Sequence, residues 1–238
     1  MKLLTPLSTS RLILDTTRTS LFTVGQENLP GQGVAIVVSN HRSFLDAPIL
    51  IQALGKTLPI ACHHYMGKTP LLRELIGELG CFPFDTPEKR HRTFFRQATD
   101  FLQSGRWIGL FPEGGSPMLN LTAPRQISRF QSGFAHLALR CPVENLFVLP
   151  VAILSESETV ISPFPVRLLR WLDTTEPLFD QDGWHPVVFY HRVKVAIGRP
   201  YGITESDRSD YQGKQGKKAL NRLIGHCQSE ISDLLLKG

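Results

Sequence analysis

The sequence predicts an α/β fold: one domain over residues 1–238, built on a central, largely parallel or mixed sheet flanked by helices and closed by a C-terminal amphipathic helix. Short apolar runs of strand length alternate with helical patterns, the order that yields strands joined by crossover helices. No segment repeats with a period of roughly 20 to 50 residues, which excludes solenoids and propellers. The 238 residues are 42% hydrophobic and 20% charged, enough apolar material for a sizeable core and too much for global disorder. At roughly 150 residues per domain, the length suits one domain with a long tail or insertion.

Taken in order, Val34 to Val38 reads as a buried strand, followed by a turn at Ser39 to Ser43 and a helix from about Ala47 to Leu54 that stops at Gly55. Leu58 to Cys62 is a second strand, Leu71 to Leu79 a helix ended by Gly80, and Cys81 to Phe84 another short strand. The next helix is the best marked. Thr86 caps it, Pro87 suits its first turn, Phe94, Phe95, Ala98, Phe101 and Leu102 share one face, and Gly105 ends it. Lys89, Arg92 and Arg96 fall together on roughly the opposite face, a stripe that reads as a solvated face or a lipid or carrier-protein docking surface.

Trp107 to Phe111 and Leu146 to Ile153 read as strands, with a helix from about Phe130 to Arg140 between them. Val187 to Ile197 alternates, placing Val187, Phe189, His191, Val193, Val195 and Ile197 on one side and Arg192 and Lys194 on the other, as in a half-exposed strand near a sheet edge. Ser155 to Trp184 is broken by Pro163, Pro165, Pro177 and Gly183. Within it, Arg167, Leu168, Leu169, Arg170 and Trp171 suit either a bilayer interface or a surface loop with one short helix. Leu220, Leu223, Ile224, Cys227, Ile231, Leu234 and Leu235 recur at helical spacing, so a long amphipathic helix packed on the domain closes the chain.

Lys and Arg number 26 against 21 Asp and Glu, a net charge of +5, which favours anionic surfaces or ligands. Basic residues are not interleaved with aromatics along a groove, so nucleic acid is not the expected partner. Cys62, Cys81, Cys141 and Cys227 form no C-x-x-C pair, suit a reducing cytoplasm as free thiols, and give no zinc signature. The longest stretch without Asp, Glu, Lys or Arg, Asn28 to His41, holds Pro30, Gly31 and Gly33 and is too short for a spanning helix. Lys2 and a short Leu-containing run meet Arg11 before a secretory core develops, so no signal peptide is expected.

The strongest chemical signal is Asn40-His41-Arg42-Ser43-Phe44-Leu45-Asp46, set where a buried strand gives way to a helix, the usual ligand position in open α/β sheets. Histidine takes a proton near neutral pH, and a carboxylate fixes its tautomer. Five residues of regular helix turn through about 500° and leave His41 and Asp46 about 140° apart, so a direct pair requires His41 in the turn before the helix. Pro48 suits a helix starting near Asp46, which allows this. Two plainer readings stand beside it: Asp46 is simply the N-cap, or Ser43 caps the helix with Asp46 at the capping-box position. The second signal is Phe111-Pro112-Glu113-Gly114-Gly115-Ser116-Pro117, which puts Glu113 at a strand's carboxyl end beside two glycines. The glycines suit close approach of a ligand and N–H groups for a developing oxyanion, or an ordinary tight turn. His63, His64, His91 and His136 read as structural or solvated.

Together the two blocks resemble those of the glycerolipid acyltransferase family typified by lysophosphatidate acyltransferase, with its Asn-His-x4-Asp and Phe-Pro-Glu-Gly signatures. The spacing matches, and the likeness extends to Gly25 to Pro30, Phe130 to Leu139 and Val148-Leu149-Pro150-Val151-Ala152-Ile153, roughly residues 20–155. The resemblance implies acyl transfer from a thioester co-substrate, acyl-CoA or acyl-carrier protein, to a hydroxyl of a lipid acceptor, with no bound cofactor or metal. His41 is then the general base, Asp46 its orienting partner and Glu113 the group that positions the acceptor. Asn40, Gly114, Gly115 and Pro150 line the substrate site. The acceptor hydroxyl attacks directly, without an acyl-enzyme. Insoluble substrates imply peripheral membrane contact from the cytoplasm.

Two departures matter. The family's second block ends in an arginine that holds the acceptor phosphate, but Gly80 to Asp85 runs on into Thr86; the third normally continues Gly-Thr-Arg-Ser, but here reads Gly114-Gly115-Ser116-Pro117. Arg125, Arg129 or the Lys89 to Arg96 cluster are the substitutes the chain offers, and an acceptor without a phosphate monoester fits the loss better. Rival readings are a transacylase or hydrolase on the same scaffold, and a non-catalytic lipid-binding surface protein. Retention of His41, Asp46 and Glu113 together argues against the second.

Overall fold

The computed structural model describes residues 5–63, 66, 70–84, 90–171, 174 and 177–237. Helix α1 (Pro6–Thr16) opens on a capping box between Thr5 and Ser8 with Pro6 in its first turn, and leads to strand β1 (Ser20–Val24). Then come β2 (Val34–Ser39), α2 (Asp46–Leu54), β3 (Ala61–Cys62), α3 (Pro70–Glu78), β4 (Phe82–Pro83), α4 (Arg90–Gln103) and β5 (Ile108–Leu110). After the short α5 (Ser116–Leu119) follow α6 (Gly133–Arg140), β6 (Leu146–Ile161), β7 (Val187–Ile197), β8 (Tyr201–Gly202), α7 (Glu205–Gln212) and α8 (Gly216–Lys237).

The main sheet runs β1-β7-β6-β2-β5, with β8 also on β6. β5, β2 and β6 are parallel, β7 is antiparallel to β6, and β1 is parallel to β7. This is the mixed sheet with a parallel centre that the alternating pattern predicts. β3 and β4 form a separate parallel pair, tied to β5 by a bridge between Ile60 and Gly109. Gly109 permits that approach, since a Cβ there would lie 2.7 Å from Ile60 Cγ1.

Every residue of β2 is buried, as expected where helices cover both faces of a parallel strand. α1 packs with α2, while α6 and α8 pack on β6. Leu223, Cys227, Ile231 and Leu235 form the buried stripe of α8, so this helix covers the sheet, as its periodicity predicts. Arg92 and Arg96 are exposed on α4 while Phe94, Ala98 and Leu102 are buried. Thr86, Pro87, Lys89 and His64 lie outside the described residues.

β7 lies near a sheet edge, as its alternation predicts: it is flanked by β6 and by β1, the edge strand on that side, whose short run Ser20–Val24 is half-exposed throughout. The structure corrects two other sequence expectations. β6 does not stop at Ile153 but continues to Ile161, so the first part of the 155–184 segment is strand; among the described residues the rest includes the 3-10 turns Val166–Trp171 and Pro177–Asp180. The alternation of β7 changes phase. Val188 and Tyr190 are buried, then Val193, Val195 and Ile197, with His191 and Arg192 both exposed between them. The cause is an irregularity where Glu156 of β6 and His191 of β7 each drop out of register, between the pairs Ser155–Val193 and Glu158–Tyr190. One unpaired residue reverses which side chains face inward.

Candidate active site

β2 ends at Ser39, and the chain crosses the carboxyl end of the sheet before α2 begins at Asp46. His41 therefore sits in the turn, the condition for pairing with a residue five places on. Its Nδ1 lies 2.9 Å from Asp46 Oδ2. Asp46 is the first residue of α2 rather than its N-cap, and Leu45 in the cap position makes no side-chain cap. The Asp46 carboxylate reaches back instead: Oδ2 also accepts the backbone N–H of Arg42 at 2.7 Å and of Ser43 at 2.8 Å. The reading of Asp46 as N-cap is thereby replaced, while the capping-box reading is met in part: Asp46 takes the Ser43 N–H, and the Ser43 hydroxyl accepts the N–H of Leu45 at 3.1 Å as it donates to the carbonyl of Val188.

An imidazole whose Nδ1 faces a carboxylate donates there and keeps its lone pair on Nε2. Among the described residues, Nε2 of His41 has no hydrogen-bond partner. The ring lies parallel to Phe111, centroids 4.1 Å apart at 11°, and 19% of the side chain is exposed against 1% for Asp46. Asn40, buried beside it, exchanges two hydrogen bonds with the backbone of Ile153 at 2.8 and 2.9 Å, and so ties the turn to β6.

Glu113 follows β5 and meets the same turn. Its Oε1 accepts the backbone N–H of His41 at 3.0 Å, and its Oε2 accepts that of Ser128. Burial pushes this carboxyl above its ordinary value, against the pull of those N–H groups and the nearby imidazole. Gly114 has φ +74°, a conformation that favours glycine, while Gly115 begins the turn into α5 with an ordinary helical φ of −81°. Its N–H meets no acceptor among the described residues.

The remaining predicted residues lie farther out. Pro150 is buried in β6 opposite Val38, its carbonyl accepting the N–H of Gly198; it belongs to the sheet under the turn. Arg125 and Arg129 are exposed, on the loop whose Ser128 reaches Glu113. His136 bonds the Tyr211 hydroxyl at 2.7 Å, and all four cysteines are free.

Three site residues escaped sequence reasoning. Arg42, inside the first block, is buried: its guanidinium forks onto Glu158 at 2.8 and 2.9 Å and its Nε donates to the carbonyl of Thr122. Burial is the largest single influence and would depress Arg42, but the bond to Glu158 together with the nearby Glu158, Asp46 and Tyr190 outweighs it, and the guanidinium stands above its ordinary value. Burial likewise pushes Glu158 upward, yet the Arg42 fork holds it below the ordinary carboxylate range. Tyr190 donates its hydroxyl to Asp46 Oδ1 at 3.0 Å. For Arg42, a charged side chain between two buried segments was the available signal; Glu158 and Tyr190 carried none, because their facing depends on the β6–β7 irregularity.

The family model described as Acyltransferase matches residues 21–154, which contain every member of the His41, Asp46 and Glu113 constellation. The chain belongs to the acyltransferase family. Among acyltransferases it is similar to a Mycoplasma pneumoniae protein named as a probable 1-acyl-sn-glycerol-3-phosphate acyltransferase, 32% identical over 120 residues. That match takes in 48% of this chain and 43% of the relative, less than half its length. In fold it is similar to the crystal structure of the 1-acyl-sn-glycerophosphate (LPA) acyltransferase PlsC from Thermotoga maritima, with a TM-score of 0.58 and 17% identity over 96% of this chain and 78% of that one.

Proposed function

We propose that the protein is an O-acyltransferase that moves a fatty acyl group from a thioester, acyl-CoA or acyl-carrier protein, to a hydroxyl of a lysophospholipid or related glycerolipid. One observation carries this reading: His41 presents an Nε2 without a partner among the described residues, while its Nδ1 rests on a carboxylate held by four donors, itself included. Nε2 takes the proton of the acceptor hydroxyl as its oxygen attacks the thioester carbonyl carbon. The carbonyl electrons move to oxygen, and the Gly115 N–H, without an acceptor among the described residues, is a backbone donor for that oxyanion. Collapse re-forms the carbonyl and breaks the carbon–sulfur bond; the thiolate leaves with the proton that His41 took up. Glu113 joins the His41 turn to the 120–132 loop, so it positions the acceptor through the loop as well as directly.

The Mycoplasma relative is named for a phosphate-bearing acceptor. We infer the same class here, with Arg125 and Arg129 standing in for the two absent arginines, because Ser128 brings their loop to Glu113 while Arg42 is committed to Glu158. Membrane contact belongs to the same proposal. No helix among the described residues is long and apolar enough to cross a bilayer, and Trp171 and Trp184, 88% and 60% exposed, suit an interface that a peripheral enzyme would touch.

Purified protein and its His41→Ala variant, both shown to be folded, are to be assayed with labelled acyl-CoA and acyl-carrier protein against phosphorylated and unphosphorylated acceptors. Thioester-dependent transfer that disappears in the variant is the expected result. Equal transfer by the variant, or none to any acceptor, would overturn the mechanism; release of free fatty acid alone would move the assignment to a hydrolase.

A further inference from the structure

Tyr190 lies outside both sequence blocks and outside the family match, yet it touches the carboxylate at the centre of the site. Its side chain is buried, and a buried phenol needs a partner for its O–H. The partner is Asp46 Oδ1, the oxygen that His41 leaves unused. The contact is a product of the paired irregularity in β6 and β7. In unbroken alternation from Val193, Val195 and Ile197, position 190 would face away; because His191 drops out of register, Tyr190 turns inward. The same irregularity places Glu158, opposite Tyr190, on Arg42. The hairpin thus grips the His41–Asp46 turn at two points, once at the Asp46 carboxylate and once at Arg42.

We propose that Tyr190 is a positioning residue for the His41–Asp46 pair, holding the carboxylate so that Oδ2 stays on Nδ1 and limiting how strongly the imidazole retains a proton. The proposal rests on His41 being the base. The groups facing the pair are Arg42 from the turn, Glu113 beyond β5 through the His41 backbone N–H, Glu158 of β6 through Arg42, and Tyr190 of β7; Phe111 covers the ring. Burial and the neighbouring Asp46 push the Tyr190 phenol well above its ordinary value, so it stays a donor throughout the working pH range.

The sign follows from charge. A donor on Oδ1 draws negative charge away from the oxygen that stabilises imidazolium. Removing it strengthens the attraction, so His41 holds its proton to higher pH. The full-length chain carrying Tyr190→Phe keeps the ring and loses only the hydroxyl. Its kcat/KM profile is expected to shift its acidic limb upward by about half a pH unit, with kcat falling about tenfold and KM changing less than about twofold. 3-Fluorotyrosine placed at position 190, a stronger donor, is expected to move the same limb downward.

An unchanged limb and kcat in Tyr190→Phe, or a change confined to KM, would overturn the proposal. If that variant does not fold, the fluorotyrosine protein decides alone, and an unmoved limb refutes. His41→Ala separates the two levels. Should it remain active, His41 is not the base and the underlying reading falls. The His41 imidazole titration, followed by NMR of labelled histidine, then still reads the contact: an upward shift in Tyr190→Phe supports the coupling, and none overturns it.

Discussion

Glu158→Gln exposes the hairpin's grip on the His41–Asp46 turn to measurement. The substitution preserves shape but removes the charge opposite Arg42 and converts one of two acceptors into a donor. Arg42 cannot shed its proton, and its side chain is 2% exposed against 16% for Glu158. Removing one partner of a fully buried pair costs about 3–5 kcal/mol. One acceptor survives in Gln, the Thr122 carbonyl still takes Nε, and Glu158 is partly solvated, so the expected loss is about 2–3 kcal/mol. For a chain of this size that is a fall in Tm of about 5–10 °C.

The pH dependence identifies the mechanism. Glu158 titrates below its unfolded value because Arg42 holds it ionised. Its contribution is therefore complete above the ordinary carboxylate range and is lost as pH falls through the depressed value. Urea unfolding from pH 7 downward should show the gap between wild type and Glu158→Gln widest at neutral pH and closing in acid. Arg42→Met combined with Glu158→Leu should cost less than the single change, because no unpaired charge remains. A variant as stable as wild type at pH 7, or a gap that does not narrow in acid, would refute the pair as a stabilising contact.

Glu113→Gln leaves one of two backbone N–H groups, His41 or Ser128, facing an amide donor, and steady-state assays of the folded variant should show kcat lowered about 100-fold. Gly114→Ala places a Cβ at φ +74° and 2.5 Å from Gln131 Nε2; because Gln131 can swing aside, the cost read by denaturant unfolding should be that of the backbone, about 1–2 kcal/mol. Ile231→Ala, at a fully buried position of α8, should lower stability by about 3 kcal/mol in the same assay while leaving KM unchanged.

The elements the sequence revealed are those whose signals are local. Val34–Ser39 is buried on both faces and reads as a continuous apolar run; α8 carries its buried residues four apart; Gly55 and Gly80 adopt the positive φ that ends a helix. α1 and β1 went unread although Thr5, Pro6 and Ser8 carry a capping box. β1 is short and half-exposed, and its place at the sheet edge is set by β7, some 170 residues on.

The His41–Asp46 pair was legible for a related reason. His41 and Asp46 lie five positions apart, so a turn followed by a helix beginning at Asp46 is enough to bring them within reach, and Asn40 and Glu113 then anchor that turn to distant segments. Asn40, Glu113, Arg42, Glu158 and Tyr190 meet through contacts of 72 to 144 residues' separation. Glu113 was nameable because its block is distinctive. Tyr190 and Glu158 were not, because one unpaired residue in each of β6 and β7 decides which way they face. Local composition governs whether a segment becomes helix or strand, since that choice turns on capping, periodicity and backbone preference within a few residues. The inward or outward sense of a strand after a bulge depends on its hydrogen-bonded neighbour, so the carboxylate's fourth donor emerges only when β7 is laid against β6.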